Sequence, residues 1–129
     1  MKDKSTILVV DDDNAHRIML RTLMGGWGYE VSEADDGAAA LDRVKEQSYD
    51  LVLMDVRMLR VSGLEALAQI KLYNPAIPVI IMTAYASEQS AIDAVNLGAF
   101  SYLQKHCKND EIKMVVRNAL AMRQVRTEN

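Results

Sequence analysis

The sequence predicts a doubly wound α/β domain, a five-stranded parallel sheet with five helices over its two faces. Three observations carry this. Five short runs with strand character alternate with five stretches of helical spacing, up to the C-terminus. Three of those runs are almost wholly apolar, as parallel strands covered on both faces are. The chain has 129 residues, half of them apolar, which suits one core and one domain spanning 1–129.

The first strand is read from Ile7-Leu8-Val9-Val10, and Asp13 or Asn14 then caps a helix carrying Ile18, Leu20, Leu23 and Met24. Gly25-Gly26 is expected to stop that helix. Glu30-Val31-Ser32-Glu33-Ala34 alternates in polarity, which suits an edge strand, and the turn Asp35-Asp36-Gly37 leads to a helix marked by Ala40, Leu41 and Val44. Leu51-Val52-Leu53-Met54 is the third strand. Its helix carries Leu64, Leu67, Ala68 and Ile70 and closes at Asn74-Pro75. Val79-Ile80-Ile81-Met82 is followed by a helix with Ala91, Ile92, Val95 and Leu97, ended by Gly98. Ser101-Tyr102-Leu103 is the last strand, and the last helix begins after Asn109-Asp110 with Ile112, Val115, Val116, Ala119 and Leu120. Right-handed crossovers and five strands suggest the order 2-1-3-4-5.

Composition narrows the function. The net charge is -3 and the sequence pI about 5.3, which disfavours direct nucleic-acid contact. No apolar run approaches the roughly 18–20 residues of a membrane span, and the N-terminus has no signal-peptide core. A single cysteine, Cys107, precludes an internal disulfide or a multi-cysteine zinc site. These features suit a reducing compartment, most simply the cytoplasm.

In open α/β sheets, ligands bind beyond the carboxyl ends of the strands. There the sequence places Asp11-Asp12-Asp13, Asp55, Thr83 and Lys105. In the expected order these positions lie on neighbouring strands and share one crevice. Clustered carboxylates repel unless they take up protons or a cation, and an all-oxygen set suits a hard ion such as Mg²⁺. With a hydroxyl from Thr83 and a positive charge from Lys105, the set suits a phosphoryl group, and Asp55 is the obvious nucleophile. Taken singly, loop aspartates often only cap helices; four converging positions favour the functional reading.

The segments ILVVDDD, DLVLMDVRM and then Gly63, IMTAY, and SYLQK resemble the receiver domains of two-component response regulators, a flavodoxin-like fold, over essentially the whole chain. MTAY together with Gly98-Ala99-Phe100-Ser101-Tyr102-Leu103 looks most like the receivers of NtrC-like (sigma-54-dependent) transcriptional activators. The resemblance implies a phosphoprotein in a phosphorelay rather than an enzyme, though receivers promote their own phosphorylation and dephosphorylation. Asp55 would accept phosphate from a sensor histidine kinase. Asp11, Asp12, Asp55 and the backbone carbonyl of Arg57 would hold Mg²⁺, and Thr83 and Lys105 would bind the phosphoryl oxygens. Thr83 and Tyr102 would form the switch, with Tyr102 turning inward on activation, while Arg57 and Tyr85 flank the hydrolytic water. The face made by the fourth helix, fifth strand and fifth helix would carry the signal. Residues 122–129 would begin a linker to ATPase and DNA-binding output domains, with a homodimer as a further expectation.

Two positions depart from the pattern. His106 stands where receivers usually have a proline joined to the lysine by a cis bond, and Leu59 replaces another common proline. At Lys105-His106 the expectation is a trans bond with a shifted loop or a strained cis bond, since a cis non-proline bond costs about 2.5–4 kcal/mol. The alternative function is a pseudo-receiver, a phosphorylation-independent interaction module. A haloacid-dehalogenase-like phosphatase would want an acid at Arg57. A flavodoxin-like cofactor binder would not place three aspartates in its phosphate loop, and a Rossmann domain would carry Gly-x-Gly-x-x-Gly. His16 reads as a surface residue of the first helix, His106-Cys107 as a poor metal site, Trp27 as packing at the sheet edge, and the eight methionines mostly as core filler.

Overall fold

A computed structural model describes residues 4–56, 62–84 and 88–128. Five strands, β1 (Thr6–Val10), β2 (Glu30–Ala34), β3 (Leu51–Asp55), β4 (Val79–Thr83) and β5 (Ser101–Gln104), alternate with α1 (Asn14–Gly26), α2 (Gly37–Glu46), α3 (Gly63–Tyr73), α4 (Glu88–Asn96) and α5 (Asn109–Glu128). All strand pairs are parallel, in the order β2-β1-β3-β4-β5. The alternating sequence Glu30–Ala34 forms one edge strand and β5 the other, and the three apolar runs lie inside.

Side chains alternate across a strand, so each apolar run feeds two cores. Leu8, Val10, Val52, Met54, Val79 and Ile81 face α2, α3 and α4, where Ala40, Val44, Leu67, Ile70 and Ala94 meet them. Ile7, Val9, Leu51, Leu53, Ile80 and Met82 face α1 and α5, packed against Leu20, Met24, Ile112 and Val116. Burial of each large aliphatic side chain is worth about 1.5–3 kcal/mol, and this double cover makes the central strands the rigid part of the molecule.

The helix ends show why the chain turns where it does. Asp13 caps α1, its side chain accepting from the N–H groups of Ala15 and His16, and Asp36 caps α2 through the N–H of Ala39. Helix α1 does not stop at Gly25-Gly26 but runs through both. The left-handed residue is Gly28, with φ +97, because the closing bonds run from Gly28 N–H to the Gly25 carbonyl and from Tyr29 N–H to that of Met24. Gly98, with φ +98, ends α4 as expected by the same pair of bonds, to Val95 and Ala94. Helix α5 starts at Asn109, earlier than the spacing suggested. Methionine is less of a core residue than expected: Met24, Met54 and Met82 are buried, whereas Met19, Met114 and Met122 are exposed. Trp27 packs on the α1–α5 side beneath the amine of Lys113, 5.7 Å from the ring centre. Among the described residues no helix is long and apolar enough to cross a membrane.

Candidate functional site

The hydrogen-bond ladder continues past the strand ends and fixes the crevice there. Asp11 N–H donates to the Ala34 carbonyl at 3.1 Å, Val56 N–H to that of Met82 at 3.0 Å, and Lys105 N–H to that of Thr83 at 2.8 Å. Asp55 pairs in register with Met82, and Thr83 with Gln104. Asp11, Asp55, Thr83 and Lys105 are thereby held at the ends of neighbouring strands, on one edge of the sheet.

The carboxylates of Asp11, Asp12 and Asp55 each offer an oxygen within 4.8 Å of the other two. Asp11 and Asp55 are buried, at 1% and 5% exposure, while Asp12 faces solvent. Lys105 Nζ stands between the buried pair, 3.2 Å from Asp11 Oδ2 and 3.3 Å from Asp55 Oδ2. Burial pulls the Lys105 amine down, but the charges of Asp11 and Asp55 outweigh it and hold the amine above its usual range. Burial likewise pushes the Asp11 carboxyl up. The bonds from His16 and Asp13 N–H, with Lys105 alongside, more than offset this and keep it below the usual carboxylate range.

Three acids that each turn an oxygen to one place fit a hard divalent cation such as Mg²⁺. Thr83 is buried at 2% exposure, at the end of β4. Tyr102 packs against the α2–α3–α4 side of the core, its hydroxyl buried and without a hydrogen-bond partner among the described residues. Its ring is only partly buried. Arg57, Leu59 and Tyr85 lie outside the described residues.

The structure holds no cis peptide bond among the described residues, so Lys105-His106 is trans. The loop nonetheless delivers Lys105 to both acids. His106 is exposed. Burial, with Glu111 nearby, raises the Cys107 thiol above its usual range, which argues against a reactive thiolate.

His16 departs from its surface reading. Its ring is 13% exposed and Nδ1 lies 2.6 Å from Asp11 Oδ2. Helical side chains lean toward the helix N-terminus, so a residue of the first turn of α1 reaches back over the end of β1. A histidine five residues after an acid at a strand end was the available signal. Arg17 was also missed: it bonds the Asp11 carbonyl at 2.7 Å and Glu33 Oε1 at 2.9 Å, tying α1 to both inner and edge strands.

The chain matches the response regulator receiver domain over residues 7–117. It is 49% identical over 119 residues to the transcriptional regulatory protein ZraR of Escherichia coli K12, which covers 92% of this chain and 27% of that protein. NtrX of Brucella abortus superposes with a TM-score of 0.90 at 28% identity, over 97% of this chain and 28% of that one. The response regulator TrrA of Thermotoga maritima, solved with Mg²⁺-BeF, superposes with a TM-score of 0.83 at 33% identity, over 89% of this chain and 98% of that one.

Proposed function

The chain belongs to the response regulator receiver domain family and is most like the receivers of NtrC-like transcriptional activators, and on that premise we propose that Asp55 is its phosphoacceptor. The observation that carries the proposal is the placement of a buried Asp55 carboxylate beside Lys105 and within reach of Asp11 and Asp12.

An Asp55 oxygen attacks phosphorus, the bond from phosphorus to the donor histidine nitrogen breaks, and its electron pair leaves with the imidazole. The product is an acyl phosphate on Asp55. Lys105 shifts from the carboxylates to the new phosphoryl oxygens, and the Thr83 hydroxyl donates to another. Asp11, Asp12, Asp55 and the Arg57 carbonyl would hold Mg²⁺, which when bound supplies charge neutralisation to the transferred group. TrrA's complex with Mg²⁺-BeF supports this reading by similarity. Arg57 and Tyr85 would tune the later attack of water on the acyl phosphate.

Phosphorylation adds charge and acceptor oxygens next to Thr83. Thr83 moves toward them, and the space it leaves is taken by Tyr102, which biases the α4–β5–α5 face toward its signalling state. The chain spans about a quarter of the length of ZraR and AtoC, the curated relatives it matches. In a longer protein, residues 122–129 would lead to ATPase and DNA-binding domains, with a sensor histidine kinase upstream and dimerisation through the switched face. Helix α5 extending to Glu128 supports such a linker.

The test is the intact mass of the protein after incubation with acetyl phosphate, with and without Mg²⁺. Wild type should gain one phosphoryl group only with Mg²⁺, and Asp55→Asn should gain none. A protein that takes up no phosphoryl group under either condition would favour the pseudo-receiver.

A further inference from the structure

Resting on the phosphoacceptor reading, we propose that His16 is a positioning residue for Asp11, its Nδ1–H holding Oδ2 so that this carboxylate stays aimed at the metal site. Four contacts fix the Asp11 carboxylate. Oδ1 accepts from Asp13 N–H at 2.9 Å and from Lys105 at 3.3 Å, while Oδ2 meets His16 Nδ1 at 2.6 Å and Lys105 at 3.2 Å. Lys105 is shared with Asp55 and is the cation that would move onto an incoming phosphoryl group. Once it moves, His16 is the side chain left on Oδ2. Without it the carboxylate keeps, among the described residues, only the Asp13 N–H on its other oxygen and can rotate.

The direction of the bond follows from the chemistry, because an ionised carboxylate has no proton to give and Nδ1 must donate. The other ring nitrogen, Nε2, is buried and has no partner among the described residues. Unpaired buried polar atoms destabilise a fold, and an apolar side chain would pack here without that loss. The ring therefore has one polar anchor, and that anchor is Asp11. Its backbone is fixed too, since His16 N–H donates to the capping Asp13 carboxylate at 3.3 Å.

Partners that orient ligating carboxylates typically contribute roughly 10–100-fold to metal affinity. Mg²⁺ affinity of the unphosphorylated chain, measured by titration calorimetry, tests the assignment in wild type, His16→Leu and His16→Asn. His16→Leu should bind about tenfold more weakly. His16→Asn, whose side-chain amide nitrogen falls near the place of Nδ1, should recover most of that loss, which a packing role would not produce. Equal Mg²⁺ affinity in wild type and His16→Leu would overturn the proposal and leave the phosphoacceptor reading standing. Wild type that binds no Mg²⁺ would overturn both. If His16→Leu does not fold, ¹⁵N spectra of the wild-type ring decide: a proton retained on Nδ1 when Mg²⁺ is added supports the assignment, and its absence overturns it.

Discussion

Gly63 shows how closely the chain is built around Asp55. A Cβ on Gly63 would lie 2.1 Å from the Asp55 carbonyl oxygen and 2.7 Å from Val56 Cα, both backbone atoms that cannot swing aside. The glycine N–H in turn donates to the Val56 carbonyl at 2.8 Å, so the start of α3 rests directly on the residue after Asp55. Gly63→Ala should therefore push α3 off β3, with a loss of about 1–3 kcal/mol in urea unfolding and a slower gain of phosphoryl mass. The sequence marks Gly63 as part of the resemblance, but only the structure supplies this reason for it. At the same scale Asp11, Asp12 and Asp55 were legible because they follow strands of unmistakable apolar character, and Lys105 because it follows the short run Ser101-Tyr102-Leu103. His16 was not, since helical periodicity assigns a face and says nothing about which strand end a first-turn side chain overlies.

Between elements, Glu33 links the edge strand to α1. Its carboxylate meets Arg17 Nε at 2.9 Å and Arg21 Nη1 at 2.6 Å. Burial raises its carboxyl, but the two guanidinium groups together outweigh this and set it below the usual range. A lowered folded-state value stabilises above the unfolded carboxyl range, and that contribution disappears as pH falls through the folded value. Glu33→Gln should thus cost up to about 1 kcal/mol at neutral pH, with the two proteins converging in acid, as chemical denaturation across pH will reveal. The alternation of Glu30–Ala34 made this strand recognisable as an edge. Its ion pairs escaped notice because Arg17 and Glu33 lie 16 residues apart and meet only through the β1–β2 pairing. The helix ends tell a similar story: the sequence pointed to Gly25-Gly26 as the stop, and the carbonyls of Met24 and Gly25 select Gly28 instead.

For the whole molecule, the crevice concentrates like charge that the fold alone does not need. Lys105 faces both Asp11 and Asp55 and the His16 ring bonds Asp11, but the cluster still gathers three acids. Mg²⁺ binding to the folded state should raise stability by mass action. At about 100 times its dissociation constant the increment is about 2.7 kcal/mol, on the order of 10 °C in the thermal midpoint for a domain of this size. Calorimetry with Mg²⁺ against a chelator should show that increment in wild type and lose most of it in Asp55→Asn.

The sequence by itself determined the number and kind of elements, their order along the chain, and the acids, threonine and lysine that end the strands. It could do so because apolar periodicity and turn chemistry are local, and a parallel sheet puts the ends of its inner strands side by side. The tertiary structure decided which partners those residues take. The shared position of Lys105 between Asp11 and Asp55 on a trans loop, the His16 ring on Oδ2, and the absence of room at Gly63 all depend on distances between segments far apart in the chain. Those distances are set by the packing of helices onto the sheet, and packing is a property of the folded whole.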